Sequence, residues 1–532
     1  MQNSGLVYNK IVDCLADCRH LIASSSCMNS TDKAICEVDK RMQEPMQLAI
    51  VGRISSSKST LVNAILGKSG IVRTGHEAET FNVSWLKYGD DNAPLVVWFK
   101  NGTRQLIERN KWAEWTSHKG ENTLKTEVKY IEVTASFNML RYINIIDTPG
   151  LDATSKVDSQ NTIDFLRFVN PDAVILLFTK SLAEDSLNLI REFQNSESGM
   201  SFSINPMNAL GLLSKADCNW NGSNDPMSDS EAAIKRTLSS RTDVNKVLFR
   251  ILPVSALIAL ASFEITNEDI RDFEILAKLE DKQLKRLFIG SDFFVREYDF
   301  MKISSERRKR MIDKYGLYGV HLCVGELQRN SNITRLELSE VLREKSGFEN
   351  FKKLLVSHFG DRSQLIKAQR GVISLLKACN KDRLKARSKS EVELVDKVYS
   401  RIRSIETDLH ELKEWSLLLG IYEGKISVED EFMKEFLLIS GETGHAVTNK
   451  LGVDNNTDII EMERIANARC KYWKTEYNSW YHLSIRKAEP YAVISKSYEL
   501  LAMRLKEQII EFEKAQRVIK IFNHYVYGKE IK

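Results

Sequence analysis

Residues 48–60 read LAIVGRISSSKST, an apolar, β-branched run followed by a short serine-rich loop. Gly52, Lys58 and Ser59 have the spacing of a phosphate-binding loop that joins a strand to a helix. Such a loop turns backbone N–H groups toward phosphate oxygens, while its lysine bridges the outer phosphates and its hydroxyl binds magnesium. Ser57 stands where these loops usually have glycine. A left-handed backbone at that position costs a serine about 1–3 kcal/mol.

A second motif follows in YINIIDTPGL, residues 142–151, at the end of another apolar run. In this arrangement the Asp147 carboxylate orients a magnesium-bound water, and the Gly150 N–H meets the γ-phosphate. Leu151 occupies the position at which small signalling GTPases carry a water-positioning glutamine. We therefore expect this site to position its water by another route.

Two later motifs predict a reader for the guanine base. LGLLSKADC, residues 210–218, places Asp217 where its carboxylate can accept the N1 and N2 hydrogens of guanine, while the stem of Lys215 covers the ring. ILPVSALIA, residues 251–259, offers Ser255 and Ala256, where a backbone N–H can reach the guanine O6. Four motifs in this order, each at the end of a predicted strand, indicate a guanine-nucleotide fold.

The threonine that completes the magnesium site is expected between the first two motifs, in residues 71–89. Thr80, just before a predicted strand, is the candidate switch threonine, whose hydroxyl and carbonyl would hold magnesium and the attacking water. Thr74 is the alternative. The predicted metal ligands are therefore Ser59 and Thr80.

The pattern of apolar runs predicts the fold class and three zones. Residues 45–262 alternate short apolar runs with helical stretches, which is typical of a doubly wound, mostly parallel α/β sheet. Residues 1–44 predict amphipathic helices that join a stalk bundle. Residues 263–532 predict a long, all-α helical neck and stalk. The apolar stripe of the helices stops across residues 380–391, and an interruption is predicted at Pro490. The predicted strands cover residues 48–51, 81–88, 95–99, 128–133, 143–146, 173–178, 210–213 and 247–254.

Composition excludes several classes of protein. Hydrophobic residues make up 43% and charged residues 28%, as in globular proteins, and the formal net charge of +4 provides no field for binding nucleic acid. No apolar run approaches the ~18 residues of a membrane span, and the first residues lack a signal-peptide pattern. These features predict a cytoplasmic protein, with peripheral contact on the inner face of the membrane as an alternative.

With these motifs the chain resembles the bacterial dynamin-like proteins, in the subgroup without transmembrane segments that includes the isoniazid-inducible mycobacterial proteins. The resemblance rests on the four motifs and on the segments TFNVSWLKYG (80–89), YGLYGVHLCVGEL (315–327) and SGFENFKKLLVSHFGDRSQLIKAQ (346–369). It implies GTP hydrolysis with Mg²⁺, pairing of GTPase domains, assembly through the stalk, and remodelling or tethering of membranes. It also implies a role for Ser55 in contacting the phosphates and an activating cation.

The resemblance carries the following site residues onto this sequence. Catalysis is expected from Ser55, Lys58, Thr80 and Asp147. Nucleotide contacts are expected from Gly52, Ser55, Ser56, Ser57, Lys58, Ser59, Thr60, Asp147, Gly150, Lys215, Asp217, Ser255 and Ala256.

Several alternatives stay open. The chain could pair with itself, or with a second dynamin-like protein as a weakly hydrolysing scaffold whose site is weakened by Ser57 and Ser214. A GTPase that acts on RNA or ribosomes is disfavoured by the helical C-terminal half. An apolar stretch at 415–452 predicts either bundle core, which is favoured, or a tip that binds lipid or a partner. A basic run at 307–314 predicts a solvated helix face or a lipid contact.

Overall fold

The computed structural model describes residues 2–23, 27–53, 55–72, 82–116, 127–149, 165–179, 187, 191, 205–360, 362–442, 444 and 446–527. The chain forms two compact units. Residues 37–370 form one, here called the sheet unit, and residues 1–36 with 371–532 form the other, the helical unit. The sequence boundary at 262/263 therefore falls inside the sheet unit, and residues 1–36 belong with the second half of the chain.

A nine-stranded sheet is the centre of the sheet unit, with the order β4-β3-β5-β2-β6-β1-β7-β8-β9. Strands β6, β1, β7, β8 and β9 run parallel, and antiparallel pairing is confined to β2–β6, β3–β5 and β3–β4. The predicted mostly parallel α/β fold is confirmed. The strands are β1 Met46–Gly52, β2 Ser84–Tyr88, β3 Leu95–Phe99, β4 Arg104–Ile107, β5 Val128–Ala135, β6 Ile143–Asp147, β7 Ala173–Phe178, β8 Ala209–Ser214 and β9 Arg250–Val254.

Strand β4 has no counterpart in the sequence prediction. It lies at the edge of the sheet, and three of its four residues are exposed. An edge strand of this kind has no apolar run to mark it, and only its pairing with β3 defines it.

Within the sheet unit, residues 263–370 are helical. Their core includes Phe273, Tyr315 and Leu342, and it joins Ile258 and Ala261 from the helix that follows β9. The helices of this unit are α3 Lys58–Leu66, α4 Trp112–Thr116, α5 Pro226–Ser240, α6 Thr242–Asn245, α7 Ala256–Phe263, α8 Asn267–Ala277, α9 Asp281–Leu287, α10 Ser291–Val295, α11 Ser305–Arg329, α12 Arg335–Lys345 and α13 Phe348–Leu354. Helices α1 Gln2–Ile22 and α2 Asn29–Gln43 precede them in the chain.

A buried ion cluster closes the end of the sheet at which β7 begins. Asp172 accepts hydrogen bonds from Arg370 at 2.6 Å, Arg41 at 3.3 Å and the Gln47 N–H at 2.9 Å. Burial lowers the pKa of Arg370 to about 10, and the Asp172 carboxylate opposes that shift. The cluster joins three distant stretches of the chain at the edge opposite the strand ends that carry the motifs.

The helical unit contains the long helices predicted for the second half of the chain. The predicted break in the apolar stripe at 380–391 is confirmed, because the first two helices that follow α13 are separated there. The predicted interruption at Pro490 is wrong. The break lies at residues 482–484, and Pro490 lies inside the next helix. Pro490 is the sixth residue of that helix, where it removes the hydrogen bond that an N–H would donate to the carbonyl of residue 486, but the helix continues past it. The helices are α14 Ser363–Arg383, α15 Lys389–Asp408, α16 His410–Tyr422, α17 Asp430–Ile439, α18 Val447–Leu451, α19 Ile459–Tyr481 and α20 Ile485–Tyr527. None of the helices in the described ranges is both long and apolar enough to cross a bilayer.

Candidate nucleotide-binding site

The four motifs meet at one edge of the sheet. Within the parallel strands, Ile50 pairs with Asp147, Gly52 with Leu177, and Ser214 with Val254. Because these neighbouring strands run in the same direction, their carboxyl ends and the residues that follow them lie along the same edge. Ligands of open α/β sheets bind in the crevice outside these strand ends.

The loop after β1 is held close to the sheet at Gly52. A Cβ at this position would lie 2.6 Å from the Leu177 carbonyl oxygen and 2.8 Å from Ser56 Oγ, so no larger residue fits. Ser55 and Ser57 both have left-handed backbones, with φ of 61° and 65°. Alternation of this kind turns successive N–H groups inward, and the loop runs directly into the N-terminus of α3, which also attracts anions.

Ser57→Gly is expected to tighten GTP binding by up to about tenfold, or 1.4 kcal/mol, because glycine adopts φ 65° without strain. Ser57 makes no side-chain hydrogen bond as the residue that precedes α3. Isothermal titration calorimetry measures the change. Ser57→Ala is the matched control, since it removes the hydroxyl but keeps the Cβ, and it should not tighten binding. A loss of affinity in both variants would show that the hydroxyl itself contacts the nucleotide.

Lys58 lies beneath this loop. Its Nζ donates to the carbonyl oxygens of Gly52 at 3.0 Å and Arg53 at 2.9 Å, and its side chain is buried. Burial lowers the pKa of Lys58 to about 8, and the charge of Asp147 partly offsets that shift. A buried ammonium group whose hydrogen bonds to described residues go to carbonyl oxygens is suited to receive phosphate oxygens, which would add counter-charge to that of Asp147.

Ser59 and Asp147 lie in direct contact. Ser59 Oγ donates to Asp147 Oδ2 at 2.8 Å, while Asp147 Oδ1 is buried and has no hydrogen-bond partner among the described residues. Burial raises the pKa of Asp147 to about 6, and Lys58 and Ser59 act in the opposite direction. A hydroxyl and a carboxylate with one orphaned oxygen are oxygen donors of the kind that Mg²⁺ prefers, so the residues fit this ion. Thr148 fixes the turn by donating to the Ile50 carbonyl at 2.8 Å.

The predicted base-reading residues form a second cluster, after β8 and β9. Asp217 is buried, and burial raises its pKa, whereas a hydrogen bond with Ser255 and the charge of Lys215 lower it. Lys215 has a left-handed backbone, with φ of 56°. Ser214, which replaces the usual first residue of this motif, donates to the Phe178 carbonyl at 3.1 Å and so ties β8 to β7. Ala256 begins α7.

One residue of this cluster was missed by the sequence analysis of the site. Gly316 interrupts α11 with φ of 67° and ψ of 167°, and a Cβ on it would lie 3.4 Å from Asp217 Oδ2. Trp220, just after the base-reading motif, packs against Tyr318 and His321 of the same helix, with ring centroids 5.9 and 4.6 Å apart. The signal was present in the YGLYG sequence, because two glycines within one helix often mark a close approach. Its partner could not be read from the sequence.

Comparison with known proteins found several similar chains. Residues 48–204 match the model of the dynamin family. The isoniazid-induced protein IniC of Mycobacterium tuberculosis is 24% identical over 449 residues, which cover 82% of this chain and 87% of that protein. The chain therefore contains a dynamin-family domain, and it is similar to IniC over most of the length of both proteins.

Two further similarities were found. Dynamin-like protein 2 of Campylobacter jejuni is 30% identical over 148 residues, which cover 28% of this chain and 23% of that protein. A solved structure described as an oligomerised bacterial dynamin pair is 15% identical, covering 98% of this chain and 79% of its own, with a TM-score of 0.32.

Some predicted residues of this dynamin-like GTPase domain lie outside the described residues: Thr80, Thr74, Gly150 and Leu151. The structure therefore brings together the phosphate loop with Asp147, and the base-reading motif with Ser255. Ser56 lies buried within the loop, and its Oγ has no hydrogen-bond partner among the described residues. Thr60 lies half-buried in the first turn of α3.

Proposed function

We propose that this dynamin-like GTPase binds GTP with Mg²⁺ and hydrolyses it when two GTPase domains pair. The observation that carries the proposal is the bond from Ser59 to Asp147, next to Lys58 and a loop with two left-handed serines. Lys58 would exchange its carbonyl partners for the outer phosphates. Ser59 would hold the ion directly, and Asp147 would hold it through water. Bound magnesium would neutralise charge on the phosphates.

Pairing is proposed because an isolated domain lacks one catalytic part. Leu151 follows the DTPG motif, so this chain offers no glutamine there to orient the attacking water. A facing domain would order the predicted switch threonine, Thr80, and the loop around Ser55. The facing domain would thus contribute to catalysis by holding these residues of its partner in position.

The specific activity of GTP hydrolysis is expected to rise with protein concentration, because the active form is the pair. Phosphate release under Mg²⁺ measures it, with Lys58→Ala protein as the control for contaminating phosphatase. A transition-state mimic of GTP should also raise the molar mass seen by light scattering. Constant specific activity together with a monomer in the mimic would contradict self-pairing. Activity only after addition of a second dynamin-like protein would favour the scaffold alternative.

For membrane contact, the feature that supports a peripheral role is the turn between α19 and α20. Leu483 is 76% exposed and Ile485 is 69% exposed. Trp480 stacks on Tyr491 beside this turn, and exposed Arg486 and Lys487 follow it. Exposed aliphatic groups bordered by an aromatic ring and by cations are typical of a surface that enters the interface of an anionic bilayer.

This turn replaces the two lipid candidates considered from the sequence. In the predicted tip, Trp415, Phe432 and Phe436 are buried, which favours bundle core. In the basic run, Arg307 pairs with Asp272 at 2.5 Å and Lys314 with Asp269 at 2.8 Å. Arg308 in the same run is also buried, and it donates to the carbonyls of Ile303, Phe294 and Arg296. Few of these charges are available to head groups.

The double substitution Leu483→Ser/Ile485→Ser is expected to abolish sedimentation of the protein with phosphatidylglycerol vesicles, because it removes the exposed apolar groups of the turn. Leu336→Ser is the matched control, since Leu336 is 66% exposed but belongs to the sheet unit. Leu384 is 88% exposed in the turn between α14 and α15, beside Arg383 and Lys385. Loss of sedimentation in Leu384→Ser, with binding retained by the double variant, would place the lipid contact there instead.

A further inference from the structure

The second half of α20 has no partner within the described chain. Up to Leu505 the helix is anchored: Tyr498 donates to Glu435 at 2.5 Å, Ser497 bonds to His410 at 2.9 Å, and Leu505 is 2% exposed. From 506 to 522 no side chain is buried, and all except Ile509 are exposed. The helix therefore continues for more than four turns without burying a side chain against other described residues. Residues 507–522 are here called the 507–522 segment.

The 507–522 segment is rich in exposed apolar side chains, which include Ile510, Val518 and Ile521 besides a row along one face. Ile509, Phe512, Ile519 and Phe522 recur at steps of three, seven and three residues, which places them along one face of a helix. Phe512 is 62% exposed, Ile519 is 57% exposed and Phe522 is 60% exposed. Most helical stability in proteins comes from packing of an apolar face, so an exposed face of this kind is expected to bind a partner.

The charges of the segment identify the kind of partner. Acidic residues lie in its first half, at Glu507, Glu511 and Glu513, and basic residues lie in its second half, at Lys514, Arg517 and Lys520. Lys506 directly precedes the 507–522 segment. Within the segment, Lys514 donates a hydrogen bond to Glu511 at 2.9 Å. The two halves cancel, so the segment has no net charge to attract an anionic bilayer. Two copies in antiparallel orientation would instead set each acidic half against a basic half.

We propose that the 507–522 segments of two copies of this chain pair as antiparallel helices through the Ile509, Phe512, Ile519 and Phe522 face. Parallel pairing would place acidic against acidic residues and basic against basic residues, and is disfavoured. This association needs no nucleotide, and it is separate from pairing of the GTPase domains. It gives the helical unit a self-complementary interface of the kind that closes a two-fold dimer.

Analytical ultracentrifugation of the full-length chain without nucleotide tests the proposal. The parent is expected to form dimers that dissociate more readily at high salt. Phe512→Glu/Ile519→Glu should raise the dimer dissociation constant at least tenfold. Leu336→Ser, a substitution of an exposed leucine in the sheet unit, should leave the dissociation constant unchanged. All these positions are exposed, so far-UV circular dichroism and GTP affinity should match the parent.

Charge exchange tests the orientation. One variant changes Glu507, Glu511 and Glu513 to Lys, and a second changes Lys514, Arg517 and Lys520 to Glu. Each alone should lose self-association at low salt, the two mixed should form a heterodimer, and the chain with all six exchanged should dimerise like the parent.

Two results would overturn the proposal. The first is a monomeric parent. In that case, binding of phosphatidylglycerol vesicles that is lost in Phe512→Glu would identify a lipid contact. Slow hydrogen exchange in the 507–522 segment would instead identify contacts within its own chain. The second is a parent dimer that is unaffected by Phe512→Glu/Ile519→Glu or by the charge variants.

Discussion

Lys58→Ala is expected to lower GTP affinity at least about a hundredfold, because the ammonium group provides charged hydrogen bonds to the outer phosphates worth roughly 1.5–3 kcal/mol each. The lysine lies beneath the phosphate loop, and it donates to the carbonyls of Gly52 and Arg53. Calorimetry with GTP and Mg²⁺ measures the loss. Lys68→Ala, an exposed lysine just after the same helix, is the matched control and should bind as the parent does. Equal affinity in Lys58→Ala and the parent would remove the loop from the nucleotide site.

We expect GTP affinity to fall at alkaline pH, because Lys58 loses its charge there. Burial lowers the pKa of Lys58 to about 8, so the nucleotide-free site loses this charge as the pH rises through 8, and binding must then take up a proton. Affinity should fall above this pH. On the acid side, the pKa of Asp147 is raised to about 6, so protonation below pH 6 removes the carboxylate proposed to hold the ion through water. A Lys58→Arg variant that still binds should lose the alkaline fall, because arginine does not titrate in this range.

Asp217→Asn is expected to lower GTP affinity on the order of a hundredfold and to make xanthosine triphosphate the better ligand. A carboxylate accepts both the N1 and N2 hydrogens of guanine, whereas an amide offers one donor and one acceptor, which suits the xanthine edge. Competition between the two triphosphates for a fluorescent nucleotide measures the preference. An unchanged order of preference would show that Asp217 does not read the base.

A substitution at Gly316 tests the position of the Asp217 carboxylate without changing its chemical identity. A Cβ at Gly316 would touch Asp217 Oδ2 at 3.4 Å, and φ of 67° strains any residue but glycine, so Gly316→Ala should shift this backbone, weaken GTP binding and leave the preference for guanine intact. Gly325→Ala is the matched control, because it lies in the same helix and its Cβ would meet nothing within 4 Å. Equal GTP affinity in both alanine variants would mean that α11 does not support the base reader.

The strands and the phosphate loop could be predicted because their signals are local. Strand β3, Leu95–Phe99, and strand β7, Ala173–Phe178, have the bounds that their apolar runs indicate. The left-handed backbone considered for Ser57 follows from the chemistry of a loop that must turn N–H groups toward phosphate within a few residues. Strand β4 could not be predicted, since its exposed residues carry no periodic pattern.

The sequence by itself determined the fold class, the order of the four motifs and the helical character of the second half, because residue spacing within a strand or helix decides these features. Only the tertiary structure decided that Gly316 approaches Asp217, and that Asp172 joins Arg41 to Arg370. It also decided that α11 lies in the sheet unit, and that α20 is exposed beyond Leu505. These features depend on contacts between residues far apart in the chain, and a helical repeat shows which face is apolar but not what covers it.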